Sequence, residues 1–203
     1  GHRVTVFTSA HPKREFAELH GVAVRSFAIS GNAVDGINGN ASIYVDALKQ
    51  GDFDVITLFA AQQWSADAVL PHLAELTSKK IFVPTGFSLL HDPRYAAYYA
   101  QMPQWLMDMD LNVFLSHHYR DIDMAKAHGL TNFAVIANGA AEEEFGAAPS
   151  YDVRVELGIA PQQPLILHVG SYTGIKGHKE AIRIFLTAET SDAVLVLAGN
   201  GNA

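Results

Sequence analysis

Short β-branched, apolar runs alternate along this chain with longer amphipathic segments, and that alternation limits the fold more than any single motif does. The apolar runs fall at residues 4–8, 22–27, 55–59, 80–84, 112–115 and 133–136, and helical periodicity falls at 42–49, 65–77, 93–107 and 119–127. Strands each followed by a helix build βαβ units on a parallel sheet covered on both faces. The expected fold class is therefore α/β, with Rossmann-like parallel sheets. The stretch ISGNAVDGINGN at 29–40 interrupts the alternation; its glycines and asparagines predict a mobile loop.

A second interruption runs from 138 to 164, NGAAEEEFGAAPSYDVRVELGIAPQQP, with three prolines, an acidic run and room for one short helix at 153–157. Such a stretch reads as a linker. A further βαβ unit follows at 165–169, 179–188 and 193–198. This divides the chain into a first domain with its linker, 1–150, and the start of a second, 160–203. A unit of about 40 residues rarely buries a core alone, so the second domain is expected to be truncated. The first sheet opens directly on a strand and is expected to lack its beginning, which makes the sequence a fragment.

Composition narrows the partners. With 14 Lys and Arg against 21 Asp and Glu, the net charge is −7, and no Lys/Arg cluster is present. Duplex nucleic acid is a poor match for such a chain. A small anion needs only local positive potential. There is no cysteine, which excludes disulfides, thiolate nucleophiles and Cys-based zinc sites and fits a reducing, cytoplasmic setting. No apolar run reaches the ~20 residues of a membrane helix. Gly1-His2-Arg3 does not have the make-up of a signal peptide.

The segment PLILHVGSYTGIKGHKEAIRIF, 164–185, reads as a strand, a glycine-rich turn carrying a lysine, and a helix. A P-loop needs G-x-x-x-x-G-K-[ST], but here Lys176 precedes Gly177 and no Ser or Thr follows it. A dinucleotide fingerprint needs G-x-G-x-x-G and an acid closing the next strand, but here the spacing is G-x-x-x-G-x-x-G and the next strand ends in Ala198-Gly199. The general physics survives both failures. The turn follows the carboxyl end of a strand, where open α/β sheets bind ligands. The helix aims free N–H groups at it, and Lys176 adds a full charge. An ordinary βα loop with an exposed lysine is the alternative on these residues alone.

The order of several motifs resembles the GT-B retaining glycosyltransferases, the group called glycosyl transferases group 1 or family 4. Their second domain opens with a strand, Gly-Arg-x-x-x-x-Lys-Gly and a helix, and this chain matches at Gly170, Lys176 and Gly177. A following Gly-Gly-Asp-Gly-like turn is matched in LVLAGNGN by Gly199 and Gly201, around Asn200. The interdomain junction Ile-Pro-Asn-Gly-Val-Asp-x-x-x-Phe is matched in VIANGAAEEEF by Ile136, Asn138, Gly139 and Phe145. The apolar strand ending in Ser116, and the opening GHRVTVFTS, are also similar to the family.

The resemblance implies two Rossmann-like domains, the second truncated, and transfer of a hexose from a nucleotide-diphosphate sugar with retention, in the cleft between them. The acceptor, a glycan, lipid or small molecule, is left open. It implies Lys176 as the catalytic cation on the leaving diphosphate, with Gly170, Ser171 and Gly177 completing the diphosphate site. Gly199, Asn200 and Gly201 form the nucleotide-side turn, and Thr85, Ser116 and His117 line the acceptor side. Neither a metal nor a cofactor is implied. Ser171 stands where the family has arginine, and His178 or Lys179 are the nearest substitutes. Thr85-Gly86 stands where a histidine is often found, and Ala140-Ala141 replace the usual Val-Asp. The family's Glu-x7-Glu element would lie beyond residue 203, so the fragment alone is expected to be inactive. A non-catalytic small-ligand module and a sugar-nucleotide epimerase of the same fold are the alternatives.

Other polar residues read as structural. Asp108-Met109-Asp110 imitates a metal-binding Asp-x-Asp but lies before a strand, at the edge opposite to ligand binding. Asp121 and Asp123 fall where carboxylates favour a helix start. His117 and His118 are adjacent and lack a metal-binding helical spacing, but they follow a strand's carboxyl end, a position from which one or both can face a cleft. Tyr95, Tyr98, Tyr99, Met102 and Leu106 recur at three and four, a packing face.

Overall fold

The structure is a computed structural model that describes residues 1–149, 151–174, 176–188 and 192–201. The expected domain end at residue 150 and the last residues, 202–203, lie outside the described residues. Two compact units form, Gly1–Gly139 and Ala140–Ala203.

The first unit begins with β1 (Thr5–Ser9), β2 (Glu18–Leu19), β3 (Val22–Phe27), β4 (Ser30–Asn32), β5 (Gly36–Asn38) and α1 (Ala41–Lys49). It continues with β6 (Val55–Phe59), α2 (Trp64–Asp67), β7 (Lys79–Val83), α3 (Ala96–Asp108), β8 (Leu111–Phe114), α4 (Arg120–Ala127) and β9 (Phe133–Val135). β6, β7, β8 and β9 pair in that order, all parallel. This is the Rossmann-like α/β arrangement that the alternation implies. β1 pairs parallel with β3, and β2 adds antiparallel to β3.

Burial explains the sheet. Phe82 and Phe114 are fully buried on the central strands, and Met102, Leu106 and Ile122 are fully buried on the covering helices. α3 presents Tyr98, Tyr99, Met102 and Leu106 inward, the face expected from spacing, with Tyr95 buried just ahead of it. Asn112 is buried mid-sheet because its amide donates to Leu106 O at 2.8 Å, tying the end of α3 to β8. α1 starts at Asn40, whose side chain accepts from Ser42 N at 3.1 Å.

Three expectations are corrected. The loop at 29–40 is a built hairpin, β4 against β5, and not a mobile connection. Asp67, buried on α2, accepts from Ala33 N at 2.9 Å, and Tyr95 Oη donates to Asp35 at 2.8 Å, so distant residues hold the hairpin. The single helix expected over 65–77 splits into α2 and a 3-10 turn, Leu70–Glu75, because Pro71 at its start cannot donate to a continuing helix. The linker carries a helix of its own, α5 (Glu142–Gly146), where only the helix at 153–157 was expected.

Asp110 shows what the Asp-x-Asp does. It accepts from Lys79 Nζ and from Lys80 N, both at 2.8 Å, and clamps the start of β7. The Lys79 hydrogen bond, reinforced by the Lys80 amide, holds its carboxyl down at about 2. A depressed folded-state value stabilises the fold above the ordinary range near 3.8 and loses that effect as pH falls towards about 2. Asp110→Asn is therefore expected to lower the melting temperature slightly at neutral pH, in keeping with the roughly 0–1 kcal/mol of a surface pair. The gap closes between about pH 4 and pH 2, and melting curves across that range check it.

The second unit contains α5, α6 (Val153–Leu157), β10 (Leu165–Val169), α7 (His178–Thr187) and β11 (Val194–Ala198). α6 is capped by Asp152, which accepts from Arg154 N at 2.9 Å, and it ends on Gly158 at φ 64°. β10 and β11 are parallel, Leu165 opposite Val194 and Val169 opposite Ala198.

Candidate functional site

In the second unit, register brings together two turns that are far apart in sequence. Val169 lies opposite Ala198, so the residues that leave both strands emerge side by side. Gly170 N donates to Ala198 O and Tyr172 N to Asn200 O, both at 2.9 Å. Ser171 Oγ donates to Asn200 Oδ1 at 2.8 Å, and Tyr172 Oη to Leu197 O at 3.1 Å. The expected diphosphate residues Gly170, Ser171, Lys176 and Gly177 and the expected nucleotide-side residues Gly199, Asn200 and Gly201 thus share one sheet edge.

Glycine is required at two of these places. A Cβ on Gly199 would run into the carbonyl of Gly170, so no side chain fits while the turns touch. Gly177 enters α7 in the left-handed region, at φ 75°, without a side-chain cap. The first N–H groups of α7 consequently lack both an intrahelical partner and a capping oxygen. The Lys176 stem lies over Gly170: a Cβ there would be 3.2 Å from Lys176 Cβ. Its ammonium end is exposed, and no ion pair to it occurs among the described residues. Chemically, the edge offers a cation, backbone N–H donors and a close-approach surface, the set that grips a phosphate.

His178 is, with Lys179, one of the two expected substitutes for an arginine at the turn. Its ring packs 4.9 Å from Tyr172 and 4.5 Å from His168, directly beneath the turn. Ser171 spends its hydroxyl on Asn200, linking the two turns. Positive charge on the turn itself therefore rests on Lys176.

In the first unit, Thr85, Ser116 and His117 all follow carboxyl ends of parallel strands, as expected, with Thr85 after β7 and the other two after β8. Ser116 Oγ accepts from His118 N at 3.2 Å, and the His117 carbonyl accepts from Lys126 Nζ at 2.9 Å. Strain gathers at the same edge: Ala60, Gln62 and Thr85 have φ of 66°, 62° and 59°. Non-glycine residues in that region cost roughly 1–3 kcal/mol each and cluster at binding sites.

Several contacts across this edge had no sequence signal. Gly86 N donates to Asp121 Oδ2 at 2.9 Å, and a Cβ on Gly86 would run into the Tyr119 ring. Arg120 Nη1 donates to Ser88 O at 2.8 Å, so α4 pins the whole turn after β7. Asp121 is buried, and burial pushes its carboxyl up against the opposing pull of the Ile122 and Gly86 amides. This is the structural role expected for that helix start.

Among the described residues no group of three His, Asp or Glu side chains could hold a metal ion, and no helix is long and apolar enough to cross a membrane. No protein-family model matches the chain, and no curated protein matches it.

Proposed function

We propose that the protein is a GT-B-type retaining glycosyltransferase, metal-independent, that takes its sugar from a nucleotide-diphosphate donor. The observation that carries this reading is the convergence of the Gly170–Gly177 and Gly199–Gly201 turns at one edge, with the Lys176 stem laid across Gly170. As the bond from the anomeric carbon to the diphosphate breaks, its electron pair passes to the departing phosphate oxygen. Lys176 and the free amides of α7 meet that growing charge. Preorganised donors aimed at developing charge are the largest single contribution in many enzymes. Gly199 and Gly201 keep the neighbouring turn low enough for a nucleotide to lie along it. The strained turns after β6, β7 and β8, with Thr85, Ser116 and His117, are the acceptor-side residues in this reading.

The test is a thermal-shift screen of the full-length protein against nucleotide-diphosphate sugars, followed by product analysis with a chelator present. The expected result is stabilisation by one donor and transfer of its sugar to an acceptor. An epimerised donor would make it an epimerase, and stabilisation without chemistry would make it a binding module.

A further inference from the structure

Two arginines at the carboxyl edge of the first unit reach the strained turn at 60–62 from two directions. Arg14, in the loop after β1, donates through Nη1 to Ser9 O at 2.5 Å and to Ser26 Oγ at 3.3 Å. Ser9 Oγ in turn accepts from Trp64 Nε1 at 2.8 Å, just past the strained turn. From the other direction, Arg120 Nη1, at the start of α4, donates to Ser88 O at 2.8 Å, and Ser88 Oγ donates to Gln62 Oε1 at 3.4 Å. Neutral oxygens therefore hold both guanidinium heads in place. Each head has five N–H donors, so most of each fork stays available.

Neither guanidinium has a carboxylate partner among the described residues. The acids that share the edge are engaged elsewhere. Asp67 accepts from Ala33 N at 2.9 Å and from Tyr98 Oη at 2.7 Å. Asp121 accepts from the Gly86 and Ile122 amides, both at 2.9 Å, and Asp92 pairs with Arg94 at 2.8 Å. Glu15, next to Arg14 in sequence, and Asp123, three residues beyond Arg120, form no ion pair with them among the described residues. In a chain of net charge −7, two held and unpaired guanidinium groups make this edge a local reversal of sign. Gln62 adds a neutral donor. Its Oε1 is engaged by Ser88, while its sheltered Nε2 has no hydrogen-bond partner among the described residues. A sheltered donor of that kind demands an acceptor.

We propose, resting on the acceptor-side reading of this edge, that the acceptor carries a phosphomonoester, bound by the rim that Arg14 and Arg120 form, with the Gln62 amide donating to another oxygen of the same molecule. Three arguments select this class. A guanidinium fork fits phosphate with two parallel hydrogen bonds, a match that a neutral sugar hydroxyl does not offer. A phosphomonoester carries close to two negative charges at neutral pH, which balances two unpaired guanidinium groups, while a carboxylate balances one. The heads are already fixed by Ser9 O and Ser88 O, so little side-chain freedom is lost when the anion arrives. A phosphorylated soluble molecule and a phosphate-bearing lipid headgroup share this chemistry.

Calorimetric titration of glycerol phosphate, and of uncharged glycerol, into the full-length protein carrying Lys176→Ala tests the proposal with the donor-side cation removed. Glycerol phosphate is expected to bind more tightly than glycerol, with an affinity that falls as salt is raised. Adding Arg14→Gln or Arg120→Gln is expected to weaken that binding about 10-fold or more. Lysine at either position is expected to recover only part of it, because an ammonium keeps the charge and loses the fork. Co-sedimentation with phosphatidylcholine vesicles, with and without phosphatidic acid, separates the sources. Arginine-dependent binding of glycerol phosphate supports a soluble acceptor, and arginine-dependent binding to phosphatidic acid vesicles alone supports a lipid headgroup. Melting curves identify a variant that does not fold, and the salt dependence before either arginine is changed then decides. Unchanged sugar transfer in Lys176→Ala would refute the donor chemistry and leave this phosphate site standing. Glycerol bound as tightly as its phosphate, binding insensitive to salt, or full affinity in both folded glutamine variants overturns the proposal. So does an absence of binding to both glycerol phosphate and phosphatidic acid vesicles.

Discussion

Lys176→Ala in the full-length protein is expected to cut sugar transfer by about 100-fold or more, the loss typical of removing one preorganised donor to a developing charge. The reason is local. Ser171 directs its hydroxyl to Asn200, which leaves Lys176 as the full charge on the turn. Only the stem of Lys176 packs, against Gly170, and its end is exposed, so stability is expected to change by less than about 0.5 kcal/mol. Steady-state kinetics with matched melting curves separate the two effects. Arginine at 176 is not a neutral replacement, because its planar fork does not reproduce a compact ammonium. Unchanged turnover in the alanine variant would remove Lys176 from the mechanism.

Gly199→Ala is expected to act through the backbone. The added Cβ meets the Gly170 carbonyl, and relief requires the two turns to part. Parting them strains the Gly170-to-Ala198 and Tyr172-to-Asn200 bonds and the Ser171–Asn200 link together. Overpacking of this kind costs about 1–3 kcal/mol. The expected outcome is a lower melting temperature for the second unit together with weaker donor binding. An alanine at Gly139, which has open space around it, is the control and should change neither. Full donor affinity in Gly199→Ala would show that the turns do not act as one surface.

Legibility in the sequence followed the range of the forces involved. β3 and α6 fall where periodicity places them, at Val22–Phe27 and Val153–Leu157, because local pattern and local capping agree there. The β4–β5 hairpin could not be read, since Gly31, Gly36 and Gly39 look like a loop until Asp67 and Tyr95 hold them from far along the chain. Pro71 was a visible breaker in the 65–77 segment, and weight on apolar spacing alone hid it. At the candidate site, Gly170, Lys176 and Gly177 were visible as a motif. The Ser171–Asn200 bond was not, because it exists only once β10 and β11 adopt their register. The Gly86–Tyr119–Asp121 contacts gave no local signal, as Gly86 follows β7 while Tyr119 and Asp121 stand at the start of α4.

Calorimetric titration of a nucleoside diphosphate into the full-length protein and its Lys176→Ala variant tests the central claim most directly. A charge-assisted hydrogen bond contributes about 1.5–3 kcal/mol, so the variant is expected to bind roughly 10- to 150-fold more weakly, while the uncharged nucleoside binds both proteins alike. Equal affinity of the two proteins for the diphosphate would contradict the account.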